Sequence, residues 1–268
     1  MNPPPPTPPA KKIAYVQEGT HQGFLSRSCR AVARDLVRRG YTIKTFTPEK
    51  LPPAKHVTPH TPVKGDTACV REIYQRAFHT PLPNIDVPKP LARYARRKIT
   101  ITTLGELRAT AKNNHPSAHD VFVKPMIAKD FPGQRFSSAA AEELRYHPDT
   151  YPLQAQERRY FTHEVRFFAG PRTLRPTRLR ETNRDDQGLQ RFAKKLYEVW
   201  KPTAPKAYVL DVGMSAPPGT IAHLYVPTLV EINSVLTAGC LDEVKHPGAL
   251  VIAAWKSYAH YAVHGTFR

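Results

Sequence analysis

The sequence predicts an α/β protein assembled from α+β subdomains. Three observations carry that expectation. The chain opens as strand, helix, strand. Its second half turns into short apolar runs that read as strands, broken by two long helical stripes. And 268 residues with 40% apolar content can bury a substantial core.

Residues 1–10 are proline-rich, with six prolines, and are set aside as an extended polyproline tail. KIAYV (12–16) reads as a strand. Leu25, Cys29, Val32 and Leu36 recur at three- and four-residue steps, the spacing of one helix face, and Gly40 after two arginines is a helix stop. YTIKTF (41–46) is the next strand, so the opening is β-α-β with parallel pairing expected. Residues 47–62 are proline-rich and irregular. Thr67 to Phe78 reads as a helix with Val70, Ile73, Tyr74 and Ala77 on one face. TPLPNIDVPKP breaks the chain, and a soft boundary falls at 80–98.

Beyond it the texture changes. VFVKP (121–125), YPLQAQERRYF (151–161), HEVRFF (163–168) and TLRPTRLRE (173–181) read as strands. DDQGLQRFAKKLYEVW (185–200) is an amphipathic helix with Asp185 and Asp186 suited to its N-terminus. AYVLDVGM and HLYVPTLVEIN are strands joined by SAPPGT, a turn by composition, and GALVIAAWKSYAHYA is a closing helix.

Net charge is +18. Such a field draws in polyanions without naming one: nucleic acid, ATP and acidic substrates all fit. Cys29, Cys69 and Cys240 are odd in number and far apart, against a disulfide framework or a zinc knuckle, and a reducing, cytoplasmic setting is expected. No apolar h-region opens the chain and no apolar run nears 18 residues, so neither a signal peptide nor a membrane span is expected.

LVEINSVLTAGC (229–240) sets a carboxylate and a carboxamide two residues apart in an apolar run. Strand side chains alternate faces, so Glu231 and Asn233 share one face while Val230 and Ile232 take the other. Asp211, inside AYVLDVGM, joins them if the two strands pair. Three oxygen donors without His or Cys suit a hard divalent cation such as Mg²⁺. The plainer alternative satisfies each group separately, Asn capping the following loop and each carboxylate pairing an arginine.

VFVKPMIAKDFPGQRF places Lys124 at the end of a strand and Lys129 in a glycine-containing loop, both able to reach phosphate oxygens as point charges. Neither a Walker A loop nor a G-x-G-x-x-G accompanies them. THEVRFFAG sets Glu164 and Arg166 on one strand face, and Arg175, Arg178 and Arg180 follow on the next. Arginine grips carboxylate or phosphate bidentately. The plainer alternative here is an exposed Glu–Arg pair.

In order along the chain, these stretches resemble the ATP-grasp superfamily, and more narrowly its clade named for two arginines and a lysine. PKPLARYARRKITITTLGEL (88–107) is similar to the family's lead-in, VFVKPMIAKDFPG to its Lys-Pro strand and phosphate loop, HEVRFF to its E-x-R-x-F strand, and VLDVGM with LVEIN to its metal-binding pair. The resemblance implies an ATP-grasp domain over 88–268 behind a Rossmann-like pre-ATP-grasp domain over 11–87. It implies a Mg-ATP-dependent ligase that joins a carboxylate to an amine or thiol through an acyl phosphate. Its substrates would be small-molecule or peptide acids and amines. Carried over by position, Lys124 and Lys129 match phosphate-binding lysines, and Gln156 and Glu157 fall at the adenine and ribose hinge. Arg166 matches the E-x-R arginine, with Arg97 or Arg180 as the remaining one. Asp211, Glu231 and Asn233 match the magnesium ligands.

Two rivals stand beside this reading. A basic nucleic-acid-binding protein would show steep salt dependence, although no helix-turn-helix, KH or RNP1-like pattern is present. A phosphotransferase on the same fold would differ in its product. Arg93, Arg96 and Arg97 would share one face if their segment were helical. Cys240 is a weak candidate nucleophile.

Overall fold

The computed structural model describes residues 12–19, 25–112, 121–126, 131, 133–137, 144–178, 186–216 and 225–268. In chain order the elements are β1 (Lys12–Gln17), α1 (Arg27–Arg38), β2 (Tyr41–Phe46), β3 (Val63–Lys64), α2 (Thr67–Phe78), β4 (Ile99–Thr103), α3 (Leu104–Lys112), β5 (Val121–Pro125), β6 (Gln134–Arg135), β7 (Pro152–Glu157), β8 (Tyr160–Ala169), β9 (Leu174–Arg178), α4 (Asp186–Trp200), β10 (Tyr208–Ala216), β11 (Val226–Asn233) and α5 (Pro247–His264).

Three sheets organise them. The N-terminal sheet runs β2–β1–β3, parallel throughout, with Lys12 opposite Tyr41 and Tyr15 opposite Val63. This is the β-α-β opening that the hydrophobic spacing predicts. Ser26 Oγ accepts from Cys29 N at 3.2 Å and Asp66 Oδ1 from Cys69 N at 2.8 Å, so each helix starts on its own side-chain cap. Helix α5, far away in sequence, completes this layer. Tyr74 Oη donates to Tyr258 O at 2.7 Å and Trp255 Nε1 to Thr58 O at 2.9 Å. Gly248 permits the approach to α1: a Cβ there would lie 2.9 Å from Asp35 Oδ2 and 3.0 Å from Leu36 N.

The middle sheet is antiparallel, in order β4–β7–β5–β6, with α3 beside it. Neither β4 nor α3 is among the elements expected from the sequence. Helix α3 starts on a capping box: Thr103 N donates to Glu106 Oε2 at 3.0 Å and Glu106 N to Thr103 Oγ1 at 3.3 Å. The C-terminal sheet is antiparallel, in order β11–β10–β8–β9, and α4 packs on it through Leu189, Ala193 and Leu196.

The single strand expected over 151–161 is two strands in two different sheets. β7 belongs to the middle sheet and β8 to the C-terminal one, with Arg158 and Arg159 between them. The arginine face expected over 93–97 does not form either. Lys89–Ala95 is a 3-10 helix, Arg96 ends it in the left-handed region (φ 49°), and Arg97 turns inward.

Packing follows two cores of unequal size. One joins the N-terminal layer to the C-terminal sheet, running from Val16 and Leu36 through Trp255 and Tyr258 to Phe167, Leu210 and Ile232. The other serves the middle sheet and, among the described residues, contains Leu104, Leu107, Val123, Phe136, Leu144, Tyr151 and Leu153. Among the described residues, no helix is long and apolar enough to cross a membrane.

Candidate active site

Strand pairing assembles the polar cluster. Asp211 on β10 lies in register with Glu231 on β11 and with Arg166 on β8, next to a bulge between Asp211 and Val212. Arg166 grips Asp211 bidentately, Nε to Oδ1 and Nη2 to Oδ2, both at 2.8 Å. Asp211 is 2% exposed, so this is a buried, charge-assisted pair. Burial alone would weaken the Arg166 guanidinium's charge; the bonds and charge of Asp211 outweigh it and raise its pKa.

Asn233 bridges the carboxylates: Nδ2 donates to Asp211 Oδ2 at 3.2 Å and to Glu231 Oε1 at 2.7 Å. The following turn is capped by Ser234, whose Oγ accepts from Leu236 N at 3.2 Å, so Asn233 is not the loop cap of the plainer alternative. The Arg166–Asp211 pair does match that alternative's arginine-paired carboxylate.

From the middle sheet, Lys124 on β5 reaches across. Its Nζ lies 2.7 Å from Glu231 Oε2 and 3.3 Å from Asp86 Oδ2. Burial works to strip its proton, but Asp86 and Glu231 prevail and raise the lysine pKa. Gly133 makes room beside it, since a Cβ there would meet the Phe122 ring at 2.8 Å and Lys124 Cγ at 3.1 Å. Lys124, Asp86, Glu231 and Asn233 all line a cavity of about 480 Å³.

Arg97 straps the two sheets together. Nη1 and Nη2 donate to Leu229 O and Val230 O at 2.8 and 2.7 Å, and Nε donates to Gln156 Oε1 at 2.8 Å. Gln156 is itself buried and donates to Gln154 Oε1 at 2.6 Å. Glu157 stands apart, its half-exposed carboxylate accepting from Lys98 N at 3.2 Å.

The folded chain thus brings together Lys124, Arg166, Asp211, Glu231 and Asn233, with Gln156 joined through Arg97. Lys129 and Arg180 lie outside the described residues. Asp86 was missed by sequence reasoning; its one signal is an acid set between Ile85 and Val87 in a proline-flanked loop. Among the described residues, no group of three or more His, Cys, Asp or Glu could hold a metal. The donor set is two carboxylates and an amide, which fits a hard cation that also takes phosphate oxygens. For Asn233 to take part, its amide must turn its oxygen inward, where the hydrogen-bond network now places the nitrogen.

Comparison with known proteins bears on the fold. No curated protein matches the chain. Among solved structures, N5-carboxyaminoimidazole synthase from Aspergillus clavatus, in complex with ADP and 5-aminoimidazole ribonucleotide, shares 12% identity at a TM-score of 0.53, covering 91% of this chain and 77% of that one. A RimK domain ATP-grasp protein from Sphaerobacter thermophilus shares 14% identity at 0.49, covering 94% and 99%. The macrocyclase MdnC from Microcystis aeruginosa, bound with its precursor peptide MdnA, shares 12% at 0.43, covering 94% and 99%. At 12% identity the first of these speaks to fold alone. The family model for an ATP-grasp domain, the second family of the clade named for two arginines and a lysine, matches residues 94–248. That is more than half of the chain, and it spans Lys124, Arg166, Asp211, Glu231 and Asn233. On that match the chain belongs to the ATP-grasp superfamily, within its two-arginine, one-lysine clade.

Proposed function

We propose that this protein is a Mg-ATP-dependent ligase that joins a carboxylate to an amine or thiol through an acyl phosphate. The observation that supports it best is the continuous polar path Lys124–Glu231–Asn233–Asp211–Arg166, which crosses from the middle sheet to the C-terminal sheet beside one cavity. In this reading Lys124 and Lys129 hold nucleotide phosphates, and Gln156 and Glu157 flank the adenine and ribose. Arg166 and Arg180 steady the transferred phosphoryl group. Asp211, Glu231 and Asn233 hold magnesium, which when bound would offset phosphate charge. Residues 11–87 form the Rossmann-like domain ahead of an ATP-grasp domain over 88–268, and residues 1–10 are a tail. The substrates are small-molecule or peptide acids and amines, and a reducing, cytoplasmic setting suits three free cysteines.

The test is thermal shift with and without Mg-ATP, on the wild type and Glu231→Gln. A ligand that binds only the native state raises the melting point. A magnesium-dependent rise that Glu231→Gln loses supports the reading, and ADP release with candidate acids and amines then separates ligation from phosphoryl transfer. No rise at saturating Mg-ATP sinks it.

A further inference from the structure

The cavity contains a carboxylate that the ligase reading leaves without a task. Asp86 sits in the segment between α2 and β4. Asn84 fastens that segment to the end of β5: its Oδ1 accepts from Asp86 N at 2.9 Å and its Nδ2 donates to Met126 O at 3.1 Å. Asp86 Oδ2 pairs with Lys124, but Oδ1 is buried and makes no hydrogen bond among the described residues. Burial pushes the carboxyl pKa up; Lys124 and Arg97 oppose that rise, and Glu231 adds to it.

Lys124 cannot serve both Asp86 and a phosphate without loss. When Nζ turns to the nucleotide, Asp86 is left as a buried anion without its partner, an unfavourable state that an incoming cation relieves. The neighbouring space has the sign to deliver one. A second cavity of about 940 Å³ adjoins the first, and Thr237 lines both. It lies at the carboxyl ends of β1, β2 and β3, where strand order reverses about β1, the usual crevice for ligands in such sheets. Helix N-termini there would favour anions, but Ser26 and Asp66 already cap them. The lining carries Glu18, Glu49, Asp66, Asp242 and Glu243 against Arg27 and Lys64, in a chain of net charge +18. Glu18 and Glu243 make no ion pair among the described residues.

We propose that the acceptor is a cationic amine whose ammonium is received by Asp86 once Lys124 engages the nucleotide, with a second positive group lodged in the acid-lined cavity. The proposal rests on the ligase reading. It adds a coupling between the two ligands: nucleotide and amine strengthen each other's binding, and such coupling is reciprocal.

The experiment is calorimetric titration of the full chain with 1,4-diaminobutane, butylamine and butanol, which carry two, one and no charges on one carbon length. It is run with and without Mg²⁺ and AMP-PNP. On the loaded protein, diaminobutane is expected to bind tightest and butanol weakest, each charge adding about tenfold; omitting the nucleotide weakens both amines by about tenfold. Asp86→Asn should reduce butylamine to the level of butanol while binding Mg-AMP-PNP at least as tightly as the wild type, which also certifies its fold, and Asp86→Glu should recover part of the loss. Glu18→Gln with Glu243→Gln should remove only the diamine's advantage. Amine affinities that ignore the nucleotide, or that Asp86→Asn leaves unchanged, overturn the proposal. Absence of Mg-AMP-PNP binding by the wild type would overturn the ligase reading and this proposal with it.

Discussion

The two four-stranded sheets that meet at the site are built to different depths. The C-terminal sheet shares its core with the N-terminal layer, and Trp255, Tyr258 and Phe167 lie fully buried within it. Among the described residues, the middle sheet has a separate core of seven buried side chains. Arg166, Asp211, Glu231 and Asn233 stand on the deep side, and Lys124 and Gln156 on the shallow one. Local stability follows local packing, so the side that would grip a nucleotide can open without disturbing the side that fixes the carboxylates. The covalent link between the sheets is the short Arg158–Arg159 segment, and the Arg97 strap is the main polar tie.

That contrast can be broken first on the deep side. Asp211→Ala leaves the buried Arg166 guanidinium unpaired and should cost about 3–5 kcal/mol. Urea unfolding would show it as one shifted global transition. Leu153→Ala, in the small core, should cost about 2–5 kcal/mol but chiefly in local opening. Hydrogen exchange would then speed up at β4, β5 and β7 amides while β10 amides keep their protection; equal acceleration everywhere would mean that the two cores are one cooperative unit. Thr103→Ala removes the capping box of α3 and should cost about 1 kcal/mol, again read in the middle region.

The smallest effect sharpens the comparison at the boundary between the regions. Asp86 has a pKa raised chiefly by burial. A raised carboxyl favours the fold below the ordinary carboxylate range, and that contribution is lost as pH rises through its folded value. Ionised Asp86 therefore weakens the fold near neutrality. Asp86→Asn should melt above the wild type at a pH of about 7.5, and the gap should close as pH falls to the ordinary carboxylate range of about 4. A gap that widens on acidification would mean that the Lys124 pair dominates instead.

Much of the deep side was legible in the sequence. Strand alternation alone put Glu231 and Asn233 on one face, with Asp211 beside them if the two strands paired; that Arg166 lies opposite Asp211 came only from the register of β8 with β10. Helix spacing likewise placed α1, α2 and α4. The shallow side was harder. ITITT alternates isoleucine and threonine, the period of a half-buried strand, so β4 had a short signature that went unread, although Ile101 is 71% exposed in the structure and burial does not follow that alternation. The Thr103–Glu106 capping box was visible and would have located α3. The change of sheet at Arg158 and Arg159 was invisible because polar residues at a strand edge and at a strand junction look alike. Asp86 lies in a proline-flanked loop where no periodicity operates; only tertiary pairing with Lys124 gives it meaning.

Helix α5 also sets when the N-terminal layer can close during synthesis. The Tyr74 hydroxyl finds its acceptor 184 positions later, and Trp255 reaches back 197 positions to Thr58. At ordinary translation rates that gap is roughly ten to forty seconds. Through it, Val70, Ile73 and Tyr74 on α2 await their cover and remain open to non-native contact. A nascent chain stalled before Trp255 is thus the species in which chaperone dependence should be greatest, although the β-α-β opening is complete within its first 46 residues.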